Sequence, residues 1–202
     1  MFTGIIETTG LIESITAEGE NISFVINSPV SSELKPDQSV SHDGVCLTVE
    51  SVINNKHTVT AIAETLNKTN LSLKKAGDRL NIERCLMASS RIDGHFVQGH
   101  VDATAKCLNK ENKNGSTEFE FSIPEGFEML IVEKGSVAIN GISLTCFNVI
   151  KNSFRVAIIP YTMKHTNIGE INPGSVVNLE FDILGKYIQR YIQLNISSEI
   201  NK

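Results

Sequence analysis

Apolar and polar residues alternate along this chain in short stretches, and turn residues interrupt them about every 8–12 positions, the rhythm of an all-β fold. In the first half the pattern predicts strands over Phe2 to Ile6, Leu11 to Ile15, Ile22 to Ile26, Gln38 to Val40, Cys46 to Val52, His57 to Ile62 and Arg79 to Arg84. Gly4 interrupts the first and points to a close backbone approach. Asn54-Asn55 reads as a hairpin turn, Val30 to Leu34 as one helical turn and Glu64 to Leu71 as a short helix. The second half predicts strands over His95 to Ala105 (broken at Gly99), Thr117 to Ile123, Gly135 to Ile139, Ser143 to Val149, Phe154 to Ile159 and Val176 to Phe181. Its short helices fall at Phe127 to Val132 and Thr162 to Ile168. Each half therefore reads as a small closed β-barrel. Met87 to Gly94 is the linker, which divides the chain into 1–94, 95–185 and a tail, 186–202. In the tail, Lys186 to Gln193 places Tyr187, Ile188, Tyr191 and Ile192 on one helical face. About two turns cannot hold alone, so the helix must pack on its own barrel or on the same helix of other subunits.

The two halves are copies. Asn140-Gly-Ile-Ser-Leu-Thr-Cys146 echoes Asp43-Gly-Val-Cys-Leu-Thr-Val49, 97 positions earlier. At that offset Ser39 to Glu83 lies over Ser136 to Glu180 without a gap, with 16 identities in 45 positions, too many for chance. Thr65 meets Thr162, Thr69-Asn70 meets Thr166-Asn167, and Asn81-x-Glu83 meets Asn178-x-Glu180. Any function must explain why the module occurs twice.

Composition narrows the classes. The 202 residues suit two small domains, each with a modest core. A net charge of -5 without a Lys/Arg run argues against nucleic-acid binding. No apolar run reaches the ~18 residues of a membrane span, and the N-terminus lacks the basic and apolar regions of a signal peptide. The expectation is a cytoplasmic protein with no membrane partner. Cys46, Cys85, Cys107 and Cys146 form no Cys-x-x-Cys and no zinc spacing, so free thiols are expected. Cys146 aligns with Val49 and reads as core packing, while His42, His57 and His165 read as surface residues.

The repeat joins three further signals. These are the start Met1-Phe-Thr-Gly-Ile-Ile-Glu7, the pair Gly44-Val-Cys-Leu-Thr48 and Gly141-Ile-Ser-Leu-Thr145, and the run Gly94-His-Phe-Val-Gln-Gly-His-Val101. Together, from Met1 to about Ile192, the chain closely resembles the riboflavin synthase alpha-chain family. The resemblance implies two similar six-stranded Greek-key barrels and a C-terminal helix that helps to build a homotrimer. It implies no metal and no separate cofactor, and makes lumazine synthase a candidate partner. The implied reaction is a dismutation: one 6,7-dimethyl-8-ribityllumazine gives a four-carbon unit to another, leaving riboflavin and 5-amino-6-ribitylamino-uracil. Two identical substrates need two similar pockets, which the resemblance places between the first barrel of one subunit and the second barrel of its neighbour. The rival reading is a lumazine- or flavin-binding antenna or carrier without turnover; the presence of Cys46, His100 and Ser143 favours the enzyme.

By the same resemblance the first pocket uses Gly4, Ile5 and Ile6, then Cys46, Leu47 and Thr48. It continues with Thr60, Ala61, Ile62, Ala63, Glu64 and Thr65, and with Gly99, His100 and Val101. The second pocket uses Lys134, then Ser143, Leu144 and Thr145, then Ala157, Ile158, Ile159, Pro160, Tyr161 and Thr162. Phe2, Ser39, Cys46, His100, Lys134, Ser143 and Asp182 line the reaction space. Two departures stand out: Asn140, where relatives often carry Asp, removes a general base there, and Val45 stands where some relatives carry a second Cys.

Physical reading of these positions leaves alternatives. Backbone groups freed at Gly4 and Gly99 can read a pyrimidine-like ring edge. Thr48, Thr65, Thr145, Thr162 and Glu64 can meet ribityl hydroxyls, or the threonines serve sheet propensity and helix capping. Cys46 is a thiolate nucleophile or a small buried hydrophobe. His100 is a proton carrier or a hydrogen-bonded structural group. Lys134, otherwise a solvated turn residue, would stabilise developing negative charge. Asp182 is a site carboxylate or a surface one.

Overall fold

The alternation of apolar residues closes the first half on itself. The computed structural model describes residues 1–200 and the side chains of residues 1–195. Its first six strands are β1 (Thr8–Glu18), β2 (Asn21–Asn27), β3 (Ser39–His42), β4 (Val45–Ile53), β5 (Lys56–Ala61) and β6 (Arg79–Arg84). They form a closed barrel in the order β1-β2-β5-β4-β3-β6. Inward residues follow the period of two: Ile12, Phe24, Ile26, Val40, Val49, Val59 and Ile82 are all essentially excluded from solvent. Asn54 and Asn55 both take positive φ, 51° and 60°, the geometry that a two-residue hairpin turn requires.

The second half repeats the order with β7 (Ala103–Lys113), β8 (Ser116–Ser122), β9 (Ser136–Ile139), β10 (Ile142–Thr145), β11 (Ser153–Ile158) and β12 (Val176–Phe181). Its sheet runs β10-β9-β12-β7-β8-β11. One seam differs: β4 pairs along β5, whereas beyond β10 only the bridge Phe147↔Arg155 joins the two edges. The strand expected over Ser143 to Val149 therefore stops at Thr145, and Asn148 at φ 48° turns the chain out of the extended region. Cys146 is buried in the second core, as its alignment with Val49 indicated.

Three further expectations change. Phe2 to Ile6 is not a strand, and neither is His95 to Asp102; a single bridge, Phe2↔Val97, joins these segments. Each expected helix after the hairpin is two pieces: α1 (Ala63–Lys68) then a 3-10 turn over Asn70–Leu73, and α2 (Pro160–His165) then one over Asn167–Glu170. Thr69 and Thr166 break them, because each is extended and its hydroxyl accepts the N–H two residues on. The tail helix is much longer than two turns: α3 (Ile183–Ile200) begins directly after β12, and residues 201–202 of the expected tail lie outside the described residues.

The halves meet in a polar seam with approximate two-fold symmetry. The Asn81 amide donates to the Asn140 carbonyl and to Asn167 Oδ1, both at 2.9 Å, and the Asn178 amide donates to the Asp43 carbonyl at 2.8 Å. Asn70 and Asn167 return the favour through their backbone N–H groups, to Asn178 and Asn81. Asp43 is fully buried and is balanced by Lys74 at 2.7 Å. In the other copy Asn140 faces no such cation, because Ile171 stands where Lys74 does. An amide suits that buried position, since a carboxylate there would lack its counter-charge. Asn140 thus belongs to the seam between the halves.

His42 and His57 are buried completely, against the surface reading. Their Nε2 atoms lie 2.8 Å apart, His42 Nδ1 meets the Val40 carbonyl at 3.1 Å, and His57 Nδ1 meets the Ser31 hydroxyl at 2.8 Å. One proton order satisfies the chain when both rings are neutral: Ser31 donates to His57, His57 to His42, and His42 to Val40. Burial pushes the His42 pKa down to about 3, helped by the His57 charge, and burial pushes His57 down to about 4. The second copy has Ile139 and Phe154 at these positions. His165, by contrast, is exposed at the end of α2.

Candidate functional site

Two irregular segments cross at the centre of the molecule and exchange partners. Phe2 N–H donates to the Val97 carbonyl at 2.7 Å, and Val97 N–H donates back to Phe2 at 3.1 Å. Beyond this crossing the Gly4 carbonyl accepts the Ser143 N–H at 2.8 Å, and the Gly99 carbonyl accepts the Cys46 N–H at 2.9 Å. Ile6 packs on the second core and Val101 on the first. Gly4 to Ile6 therefore complete the site of the second barrel, not of the first with which they were grouped. Gly99 to Val101 keep their expected place beside Cys46. Neither glycine admits a side chain: a Cβ on Gly4 would lie 2.6 Å from the Ser143 Cβ, and one on Gly99 would lie 2.5 Å from the Cys46 Cβ. Both also hold positive φ, 76° and 81°.

At the second site Ser143 meets His95, a residue outside the expected set. His95 Nδ1 lies 2.7 Å from Ser143 Oγ. His95 is buried, and its Nε2 has no hydrogen-bond partner among the described residues. Burial holds its pKa below the ordinary histidine value, and the Asp182 charge pulls it partly back. A neutral imidazole can accept the Ser143 proton, which prepares that oxygen as a nucleophile. Asp182 also accepts the Leu184 N–H at 3.0 Å and so caps the start of α3, a partly buried role rather than a loose surface one.

At the first site Cys46 is half-buried, with Ser39 near its side chain. Burial raises the Cys46 pKa; the Ser39 hydroxyl and the N-terminal amine lower it less, and the charges of Cys85 and Glu180 add to the rise. The resting side chain is a thiol, not the thiolate considered from sequence. Phe2 is fully buried between Val97, Ala138 and Cys46, so it shapes the crossing from beneath. His100 is exposed, and its backbone N–H is held by Glu180.

The remaining expected residues divide by face. Leu47, Ala61 and Ile158 point into the barrels, because strand alternation puts every second residue in the core; only their backbones can serve a ligand. Thr48, Thr145 and Ala157 are exposed, Leu144 packs on the second core, and Thr60 exchanges a 2.6 Å bond with Ser23. Val49↔Val59 pairing sets the Thr48 end of β4 beside the Thr60 end of β5. Glu64 pairs with Lys68, and Ala63 and Thr65 are half-buried on α1. Ile62 and Ile159, the caps of α1 and α2, stay 55% and 57% exposed, with Ile5, Pro160 and Tyr161 also open and Thr162 half-buried. Lys134 is exposed, with its ammonium 5.6 Å from the centre of the Phe147 ring.

A cavity of about 680 Å³ forms a groove between the N-terminal segment and the linker. It reaches Ser39 and Ile5 but neither Cys46 nor Thr60 to Thr65, so it is not the first site.

A family model described as the lumazine binding domain matches residues 3–85 and again 98–182. The chain is 41% identical over 193 residues to the riboflavin synthase of Actinobacillus pleuropneumoniae, covering 95% of this chain and 90% of that protein. It is 36% identical, with the same coverage, to the riboflavin synthase of Bacillus subtilis (strain 168). Among solved structures, LumP complexed with riboflavin superposes with a TM-score of 0.84 over 90% of this chain and 99% of that one, at 20% identity. LumP complexed with 6,7-dimethyl-8-(1'-D-ribityl) lumazine gives 0.82, over 89% and 98%, also at 20%. At such identity these structures speak to the fold.

Proposed function

The chain belongs to the riboflavin synthase family, transferases built on paired lumazine binding domains, and on that premise we propose that it converts two 6,7-dimethyl-8-ribityllumazine molecules into riboflavin and 5-amino-6-ribitylamino-uracil. One observation carries the reading. The molecule holds two equivalent sites, each with a small nucleophile-sized side chain, Cys46 or Ser143, clamped by a glycine of the other half. A reaction between two copies of one substrate calls for that arrangement.

The sites are alike in backbone and unlike in chemistry. At the second, Ser143 can add its oxygen to C7 of one lumazine while its proton passes to His95 Nδ1. At the first, the Cys46 thiol and Ser39 hydroxyl offer hydrogen-bonding groups to the partner molecule, whose 7-methyl group must lose a proton. Holding the two rings face to face contributes much of the rate, on the order of 7–11 kcal/mol for well-oriented reactants. Following the family resemblance, we place the first barrel of one subunit against the second barrel of its neighbour in a homotrimer. The open apolar caps Ile62 and Ile159 and the uncovered stripe of α3 support that reading.

Steady-state conversion of the lumazine by the parent, Cys46→Ala and Ser143→Ala, with riboflavin affinity read by fluorescence quenching, tests the function. Each variant should lose turnover rather than affinity, by about 1–3 kcal/mol, the cost of one positioned polar partner. A parent that binds the lumazine and yields no riboflavin overturns the reading.

A further inference from the structure

Glu83 and Glu180 are the same residue of the repeat, near the ends of β6 and β12, and only 4% and 3% exposed. Neither carboxylate is used by the chemistry above. We propose that they are positioning residues connected across the molecule: Glu83, built into the first barrel, sets Ser143 in the second, and Glu180, built into the second barrel, sets Cys46 in the first.

The connection runs through the two crossing segments. These lack a strand ladder, so their N–H groups need another acceptor. Glu83 Oε1 accepts the Thr3 N–H and the Thr3 hydroxyl, both at 2.7 Å, and Oε2 accepts the Gly4 N–H at 3.0 Å. Glu180 Oε1 accepts the Gln98 N–H at 2.6 Å, and Oε2 accepts those of Gly99 and His100, both at 2.9 Å. The next bond in each chain is the glycine carbonyl to Ser143 N–H or to Cys46 N–H. Three donors converge on each carboxylate, which is an acceptor at both oxygens; an amide would turn its own NH₂ against one of them. The contact beyond is too tight to absorb movement, since Gly4 and Gly99 lie against the Cβ atoms of Ser143 and Cys46. A shift of the segment must therefore move the reactive side chain of the opposite barrel.

The proposal rests on the reading of Cys46 and Ser143 as site residues, so one readout is independent of turnover. In full-length protein labelled with 15N-serine and 15N-cysteine, Glu83→Gln should move the Ser143 amide resonance and leave that of Cys46, and Glu180→Gln should do the reverse. Each variant should also lower kcat roughly 10- to 100-fold, with KM changed far less, as expected for a sub-ångström misplacement. Should Glu83→Gln fail to fold, Thr3→Val, which removes one of the three bonds, should move Ser143 in the same direction by less. Crossed amide shifts in a protein that converts no lumazine would uphold the connection and sink the reaction. Shifts from Glu83→Gln confined to the first barrel, with Ser143 unmoved, would overturn the proposal.

Discussion

In the proposed reaction His95 and Ser143, 2.7 Å apart, act on a single proton, so the loss of either should cost about the same. His95→Gln and Ser143→Ala should each lower kcat by about 10²-fold, the lower end of what a positioned acid–base group contributes. The double variant should be little worse than either single one; additive losses would separate the two residues. His95 lies inside the run Gly94 to Val101 that marked the family, yet nothing in spacing tied residue 95 to residue 143. That pairing exists only because the segments cross. His42 and His57 were illegible for another reason: histidine counts as polar in an alternation pattern, although a neutral pair can fill a core. They make an acid-sensitivity prediction. Unfolded histidines bind protons near pH ~6.5, whereas the folded pair resists them down to about 4 and about 3. The unfolded state therefore binds more protons across that window, and the stability present above it is lost as pH falls. The double change His42→Ile with His57→Phe, which copies the second repeat, should lower the acid unfolding midpoint by roughly one pH unit. An unchanged midpoint in a chemical-denaturation series would contradict the neutral buried pair.

At the scale of elements, most strands were readable because period-two alternation and the Asp-Gly, Asn-Gly and Asn-Asn turns agree. The segments at 2–6 and 95–102 were not, because their backbone bonds go to each other, to glutamates and to the opposite barrel, none of which leaves a local pattern. The apolar stripe of the tail ends at Ile192, whereas α3 runs on, since polar Gln and Asn positions continue the helix. On α3, Leu184, Tyr187, Ile188 and Tyr191 remain exposed, while Lys186 anchors the first turn to Asp102 at 2.6 Å. Deletion after Gly185 should weaken the proposed trimer in sedimentation velocity and lower activity more than it lowers barrel stability. A truncated protein that sediments as the parent and keeps its activity would remove α3 from the assembly.

At the scale of the molecule, duplication is more than two pockets on one chain. Gly4 and Gly99 are equivalent, and each bonds to the other's barrel, so neither half completes its own proposed site. Residues 1–94 alone should bind riboflavin only as a dimer, in which each copy lends Gly4 to Ile6 to the Cys46 strand of the other. Riboflavin binding by a monomeric fragment with the affinity of the parent would contradict this exchange. The two-fold resemblance of the halves was visible from 16 matched identities, but the exchange was not, because alignment shows which residues correspond and not which half they serve.

The most direct measurement is the product balance of the full-length protein with 6,7-dimethyl-8-ribityllumazine as sole substrate, resolved by chromatography over time. Two sites acting on two copies of one substrate predict riboflavin and 5-amino-6-ribitylamino-uracil appearing in equal amounts, with two lumazines consumed for each riboflavin. Saturable lumazine binding with no riboflavin formed, or riboflavin formed without its uracil co-product, would contradict the account.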